Sequence, residues 1–158
     1  MTVDRPRKII LEPYRFEDDT WIDIPHSIAD RSRPGLPQES EHYWQGLRSG
    51  NIQFQRCTVC RRYTHYPTGG CQWCGGPLLY EEVDARATVN TWTLSLLQFG
   101  PGMETPYLTA IVNPLCEPEL QVMTNLVRCR VSDVRLGMPV KPLIVSDENR
   151  SLLFYEPE

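Results

Sequence analysis

The sequence predicts a mainly β protein, and three observations carry that expectation. Past residue 78, short runs rich in β-branched and aromatic residues alternate with segments full of turn formers. Two Cys-x-x-Cys pairs, Cys57–Cys60 and Cys71–Cys74, have the spacing of a ribbon built on β-hairpins. Only one stretch, near residue 45, spaces its apolar side chains for a helix.

In chain order, residues 1–37 read as an extended arm. Five of the 14 prolines fall in the first forty residues, and proline lacks an amide proton and turns its predecessor away from helix. Yet Ile9, Ile10, Leu11, Tyr14, Phe16, Trp21, Ile22 and Ile24 are too apolar for a free linker. The arm is expected to bury them, on this chain's own domain or on another subunit. Residues 38–50 follow as a short helix, with Tyr43, Trp44 and Leu47 on one face and Gly50 as its left-handed cap. Ile52 and Phe54 then alternate with polar neighbours, the period of a half-buried strand leading into Cys57.

Residues 51–83 form the ribbon. Each Cys-x-x-Cys turn aims two sulfurs at one point, and two such turns give four thiolates for a tetrahedral ion, Cys57, Cys60, Cys71 and Cys74. Zinc suits this set best; a single iron takes the same ligands and would make a one-iron electron carrier, while two disulfides do not suit a reducing compartment. Four protein ligands close the coordination sphere, so the metal is expected to shape the ribbon and not to activate water. Gly75 and Gly76 relieve the backbone after the second turn.

Residues 84–158 are expected to hold a small antiparallel sandwich or barrel, from the runs at 88–96, 107–112, 120–127, 140–145 and 152–155. The run at 78–83 precedes them. Cys116 and Cys129 lack partners at ligand spacing and read as small buried hydrophobes. A nucleophilic Cys116 would need a histidine base; His65 is expected in a solvated loop or as a spare ligand, and His26 and His42 have no triad context.

Charge is unevenly spread. The chain of 158 residues carries net −4, but residues 42–80 contain four arginines and no acid, whereas 81–158 are net −5. The balance argues against a general nucleic-acid coat. Arg56, Arg61 and Arg62 crowd the first cysteine turn, either as solvated ribbon surface or as a phosphate-facing patch. No run of eighteen apolar residues suggests a membrane helix, and the first residues do not look like a secretory leader, so a cytoplasmic protein is expected.

The ordered set Tyr43-Trp44-Gln45-Gly46-Leu47, Gly50, Ile52 to Cys57, Pro67, Cys71 to Gly75, Thr88-Val89, Pro106-Tyr107 and Gly137 to Val140 resembles the acyl-CoA-associated zinc-ribbon and OB-fold family. The resemblance spans roughly residues 40–145. It implies a rubredoxin-like zinc ribbon, a five-stranded OB barrel, and a non-catalytic accessory subunit of a thiolase-superfamily enzyme. That partner would be a thiolase, an acyl-CoA aldolase or a C-acyltransferase, in a hetero-oligomer acting on acyl-CoA carbon–carbon bonds. The subunit would help form the channel for the coenzyme A thioester, with Arg61 and Arg62 meeting its phosphates. Where the family usually has glycines, this chain has Arg61 after the first cysteine turn, and Ala85 and Ala87 before the first barrel strand. The alternative is an OB-fold binding single-stranded nucleic acid, with Trp92 and Tyr107 as stacking platforms.

Overall fold

A computed structural model describes residues 20–29 and 38–158. The sequence runs at 9–16 named above lie outside the described residues. The first strand, β1 (Trp21–Ile22), is followed by a 3-10 turn at Gln38–Ser40 and helix α1 (Glu41–Arg48). The helix buries Tyr43, Gly46 and Leu47. Gly50 ends it in the left-handed region at φ +82°, and the amides of Gly50 and Asn51 return to the carbonyls of Leu47 and Gly46 at 3.0 and 2.9 Å.

Strand β2 (Gln53–Cys57) is the centre of a three-stranded antiparallel sheet, between β3 (Tyr63–Thr64) and β4 (Leu78–Glu82). The simple alternation expected for β2 fails at Gln55, which is buried beside Phe54. Its amide is satisfied by the Thr68 main chain: Nε2 donates to the carbonyl at 3.0 Å and Oε1 accepts the N–H at 2.8 Å. A buried amide with both ends bonded costs little. Strand β4 joins this sheet and not the barrel.

Strands β5 (Ala87–Ser95), β6 (Tyr107–Pro114) and β7 (Val122–Leu126) form a meander. The two-residue β8 (Cys129–Arg130) leaves it to pair with β1, Trp21 opposite Arg130 and Ile22 opposite Cys129. Strands β9 (Pro139–Ser146) and β10 (Ser151–Pro157) make a hairpin that closes the barrel in the order β10-β7-β6-β5-β9. β10 meets β7 in parallel and β9 meets β5 antiparallel, so five strands close with one parallel seam, the connectivity of an OB-fold.

One core cluster runs through all of this. Ile22 from β1, Tyr43 and Leu47 from α1, Phe54 from β2, and Val89, Leu108, Val112, Leu126, Val140 and Tyr155 from the barrel belong to it. The described part of the arm therefore packs on its own barrel: Ile22 is buried in this cluster, and Ile28 is buried with Val127 and Phe154. Ala85 and Ala87 are buried in the same core, where their methyl groups fill space that glycine would leave open.

A four-sulfur centre beside a cleft

The two knuckles bring the sulfurs of Cys57, Cys60, Cys71 and Cys74 within 4.8 Å of one another. Cys57 and Cys74 sulfurs are 3.5 Å apart and those of Cys60 and Cys71 3.6 Å. A zinc–sulfur bond of about 2.3 Å gives a tetrahedron with edges of about 3.8 Å, whereas a disulfide needs about 2.05 Å. The donor set fits a metal ion, and the four cysteines are positioned to bind one.

The backbone is shaped to the sulfurs. The amides of Val59 and Cys60 point at the Cys57 sulfur, each at 3.4 Å. Gly75 takes φ +72°, and a Cβ on Gly76 would stand 3.1 Å from the Cys57 sulfur and 3.0 Å from Val59 Cγ2. A side chain at Gly76 would crowd the first knuckle, whose atoms would have to give by a few tenths of an ångström to keep the two knuckles closed. Burial opposes ionisation of Cys57, but the amides of Cys60 and Val59 and the sulfur neighbours outweigh it and lower its pKa to about 6. The Arg62 amide favours the Cys60 thiolate, yet burial and the other sulfurs together push it up to about 12. Four thiolates this close cannot all ionise without a cation among them, which is the charge pattern that a bound metal resolves.

Arg56, Arg61 and Arg62 do surround the first knuckle, but each of them meets a carboxylate. Glu81 on β4 takes Arg56 at 3.0 Å and Arg61 at 3.2 Å, and accepts the Tyr63 hydroxyl at 3.2 Å. The Arg56 hydrogen bond holds the Glu81 carboxyl below the usual carboxylate range. Arg62 pairs with Glu119 and lies over the Trp73 ring, 4.3 Å from its centroid. Glu81, just outside that window, and Glu119, far beyond it in sequence, thus offset two of the four positive charges of residues 42–80.

His65 is not in a solvated loop, and it is not among the clustered ligands. Its ring packs between Tyr43 and Phe54, both at 5.1 Å, with Tyr66 at 5.6 Å. Burial lowers its pKa to about 4. Tyr66 also accepts the Trp44 indole N–H at 2.9 Å, so an aromatic group locks α1 to the ribbon. Cys129 is buried as expected, and burial pushes its thiol up to about 11. Cys116 is exposed, contrary to expectation. Partial burial and then the charge of Glu117 raise its pKa, the opposite of what a nucleophilic thiol needs. Tyr107 is buried and Trp92 packs against the core, so neither is an open stacking platform.

A cleft of about 350 Å³ separates ribbon from barrel. Arg62, Tyr63, His65 and the second-knuckle residues Gln72 and Trp73 line one wall, and the β6–β7 connection from Glu117 to Gln121 lines the other. The separation of these residues in sequence, with 43 positions between Trp73 and Glu117, leaves no local pattern that would reveal it.

Residues 80–145 match the family described as the ChsH2 C-terminal OB-fold domain. A "probable enoyl-CoA hydratase alpha subunit" of Thermomonospora curvata is 28% identical over 71% of this chain and 35% of its own length. The "3-oxo-4,17-pregnadiene-20-carboxyl-CoA hydratase alpha subunit" of Mycobacterium tuberculosis is 23% identical over 80% of this chain and 40% of its own. The chain thus spans well under half of these curated relatives. Among solved structures, the "Ltp2-ChsH2(DUF35) aldolase" aligns with a TM-score of 0.72 at 24% identity, covering 79% of this chain and 98% of that one. A DUF35-family protein of unknown function from Sulfolobus solfataricus aligns at 0.56 and 19% identity, over 78% and 87% of the two chains.

Proposed function

We propose that this chain is a member of the zinc-ribbon and OB-fold family (DUF35) and a non-catalytic accessory subunit of an acyl-CoA-converting enzyme complex. The observation that carries this reading is the four-sulfur centre. Its ligand set is complete with protein donors, so a bound zinc would brace the ribbon and hold no reactive water. Among the described residues the remaining candidates for chemistry are otherwise engaged. His65 is locked among aromatic rings, His26 is paired with Glu104 on the surface, and the Cys116 thiol is deactivated. The names of the relatives, subunits of CoA-thioester hydratases and an aldolase assembly, support the acyl-CoA setting.

The catalytic partner is read as a thiolase-superfamily enzyme that cleaves or forms a carbon–carbon bond, with this subunit stabilising it and walling part of the coenzyme A channel. Arg61 and Arg62 would meet the phosphates by exchanging Glu81 and Glu119 for them. The test is purification from the native host with identification of what co-elutes, followed by acyl-CoA assays of the separate and reunited chains. A thiolase-fold partner whose turnover requires this subunit is the expected result. Turnover by this chain alone would overturn the accessory role; a hydratase as sole partner would overturn the thiolase assignment. Elemental analysis decides the metal: zinc at one per chain is expected, and stoichiometric iron would contradict it.

A further inference from the structure

The cleft between ribbon and barrel has a composition that the phosphate-patch reading does not use. Its charged side chains are Arg62, Glu117 and Glu119, and His65 is neutral at pH 7, so the cleft is net negative. A phosphate entering it would face two carboxylates. Trp73, however, is 53% exposed although Arg62 covers one face of its ring. The exposed part of the indole borders the cleft and offers a surface on which a flat ring can stack. Around it stand acceptors in Glu117 and Glu119 and mixed donor–acceptor amides in Gln72 and Gln121. The volume, about 350 Å³, lies at the small end of small-molecule sites, which run from about 300 to 1,000 Å³.

A flat ring with both an exocyclic amine and ring acceptors matches this wall, and a charged phosphate does not. We propose that the ribbon–barrel cleft binds an adenine base, stacked against Trp73 with its amine directed to the carboxylates of the β6–β7 connection. Resting on the acyl-CoA reading above, this assigns the cleft to the adenine end of coenzyme A. The phosphates stay outside the cleft, left to Arg61, whose side chain is 55% exposed, and to Arg62 once it leaves Glu119. The two carboxylates also separate this site from a nucleic-acid groove, where each further phosphate would add repulsion.

The test is calorimetric titration of the full metal-loaded chain with adenosine, coenzyme A, pantetheine and an oligoadenylate. Adenosine is expected to bind and to compete with coenzyme A. Trp73→Ala should weaken both by roughly 5- to 150-fold, the usual range for loss of one base–aromatic stack. Glu117→Gln should weaken adenosine without changing the fold, checked by circular dichroism. Coenzyme A binding that is insensitive to Trp73→Ala, or absence of adenosine binding, would overturn the proposal. So would oligoadenylate binding tighter than adenosine with a steep salt dependence. The accessory reading stands or falls separately: it survives an empty cleft if the reunited complex still requires this chain for turnover.

Discussion

Arg61 shows how one residue can sit against its own backbone. It takes φ +65°, a left-handed conformation that costs an L-residue about 1–2 kcal/mol, at the position where the resembling family usually has glycine. What it gains is an ion pair with Glu81, with both partners partly exposed and Arg56 sharing the carboxylate. Such pairs contribute roughly 0–1 kcal/mol. Arg61→Gly is therefore expected to leave stability unchanged or raise it by about 0.5 kcal/mol after the extra freedom of unfolded glycine is counted. Denaturant melts of the two proteins check this, and a loss above about 1 kcal/mol would mean that the ion pair outweighs the strain. The sequence exposes the anomaly, an arginine in a glycine position, but not its counter-ion, because Glu81 is 20 residues away and comes within reach only when β4 pairs with β2. His65 titrates in the other direction from a partnered histidine. Its folded pKa lies near 4, below the unfolded value near 6.5, so the unfolded chain binds more protons between them. The contribution is fully present above about pH 6.5 and is lost as pH falls toward 4, on the order of 3 kcal/mol in all. A histidine-resolved NMR titration should find one imidazole still neutral at pH 5; a midpoint near 6.5 would refute its burial.

At the scale of elements, the long signals were readable and the short ones were not. Strands β5 and β6 carry eight or nine residues each and announce themselves by composition. Strands β1, β3 and β8 have two residues apiece, too few for any period, and exist because a partner strand offers its edge. The cysteine spacing made the ribbon legible, since ligand geometry constrains sequence more tightly than packing does. The ribbon's strands are short and its knuckles depend on the sulfurs meeting, so metal binding is expected to supply much of its order, with apparent free energies of roughly 10–16 kcal/mol known for such sites. Cys57→Ser should remove the ligand that accepts two amides and lower the thermal midpoint by more than about 10 °C, given roughly 2–4 °C per kcal/mol for chains of this size. A scan of metal content against melting temperature measures it, and a variant that keeps both its metal and its midpoint would show the fourth sulfur to be dispensable.

Across the whole molecule, the expected units at 38–50, 51–83 and 84–158 share a single apolar core. Tyr155 makes the point at one atom: it lies on the last strand, is fully buried, and donates its hydroxyl to the Ala85 carbonyl at 2.9 Å, in the connection from ribbon to barrel. Phe54 of the ribbon, Leu47 of the helix and Leu108 of the barrel belong to the same cluster. When one cluster crosses every boundary, unfolding one part exposes the apolar surface of the next, and cooperativity follows. The metal-loaded chain is therefore expected to unfold in one transition, with metal release, near-ultraviolet signal and far-ultraviolet signal coinciding. Removing the metal should shift the barrel signal along with that of the ribbon, because binding to the folded state alone stabilises everything coupled to it. Tyr155→Phe should strand the buried Ala85 carbonyl and lower both signals together by about 1–3 kcal/mol. A chelated protein whose barrel melts at its original temperature would divide the core in two and leave the ribbon an independent appendage.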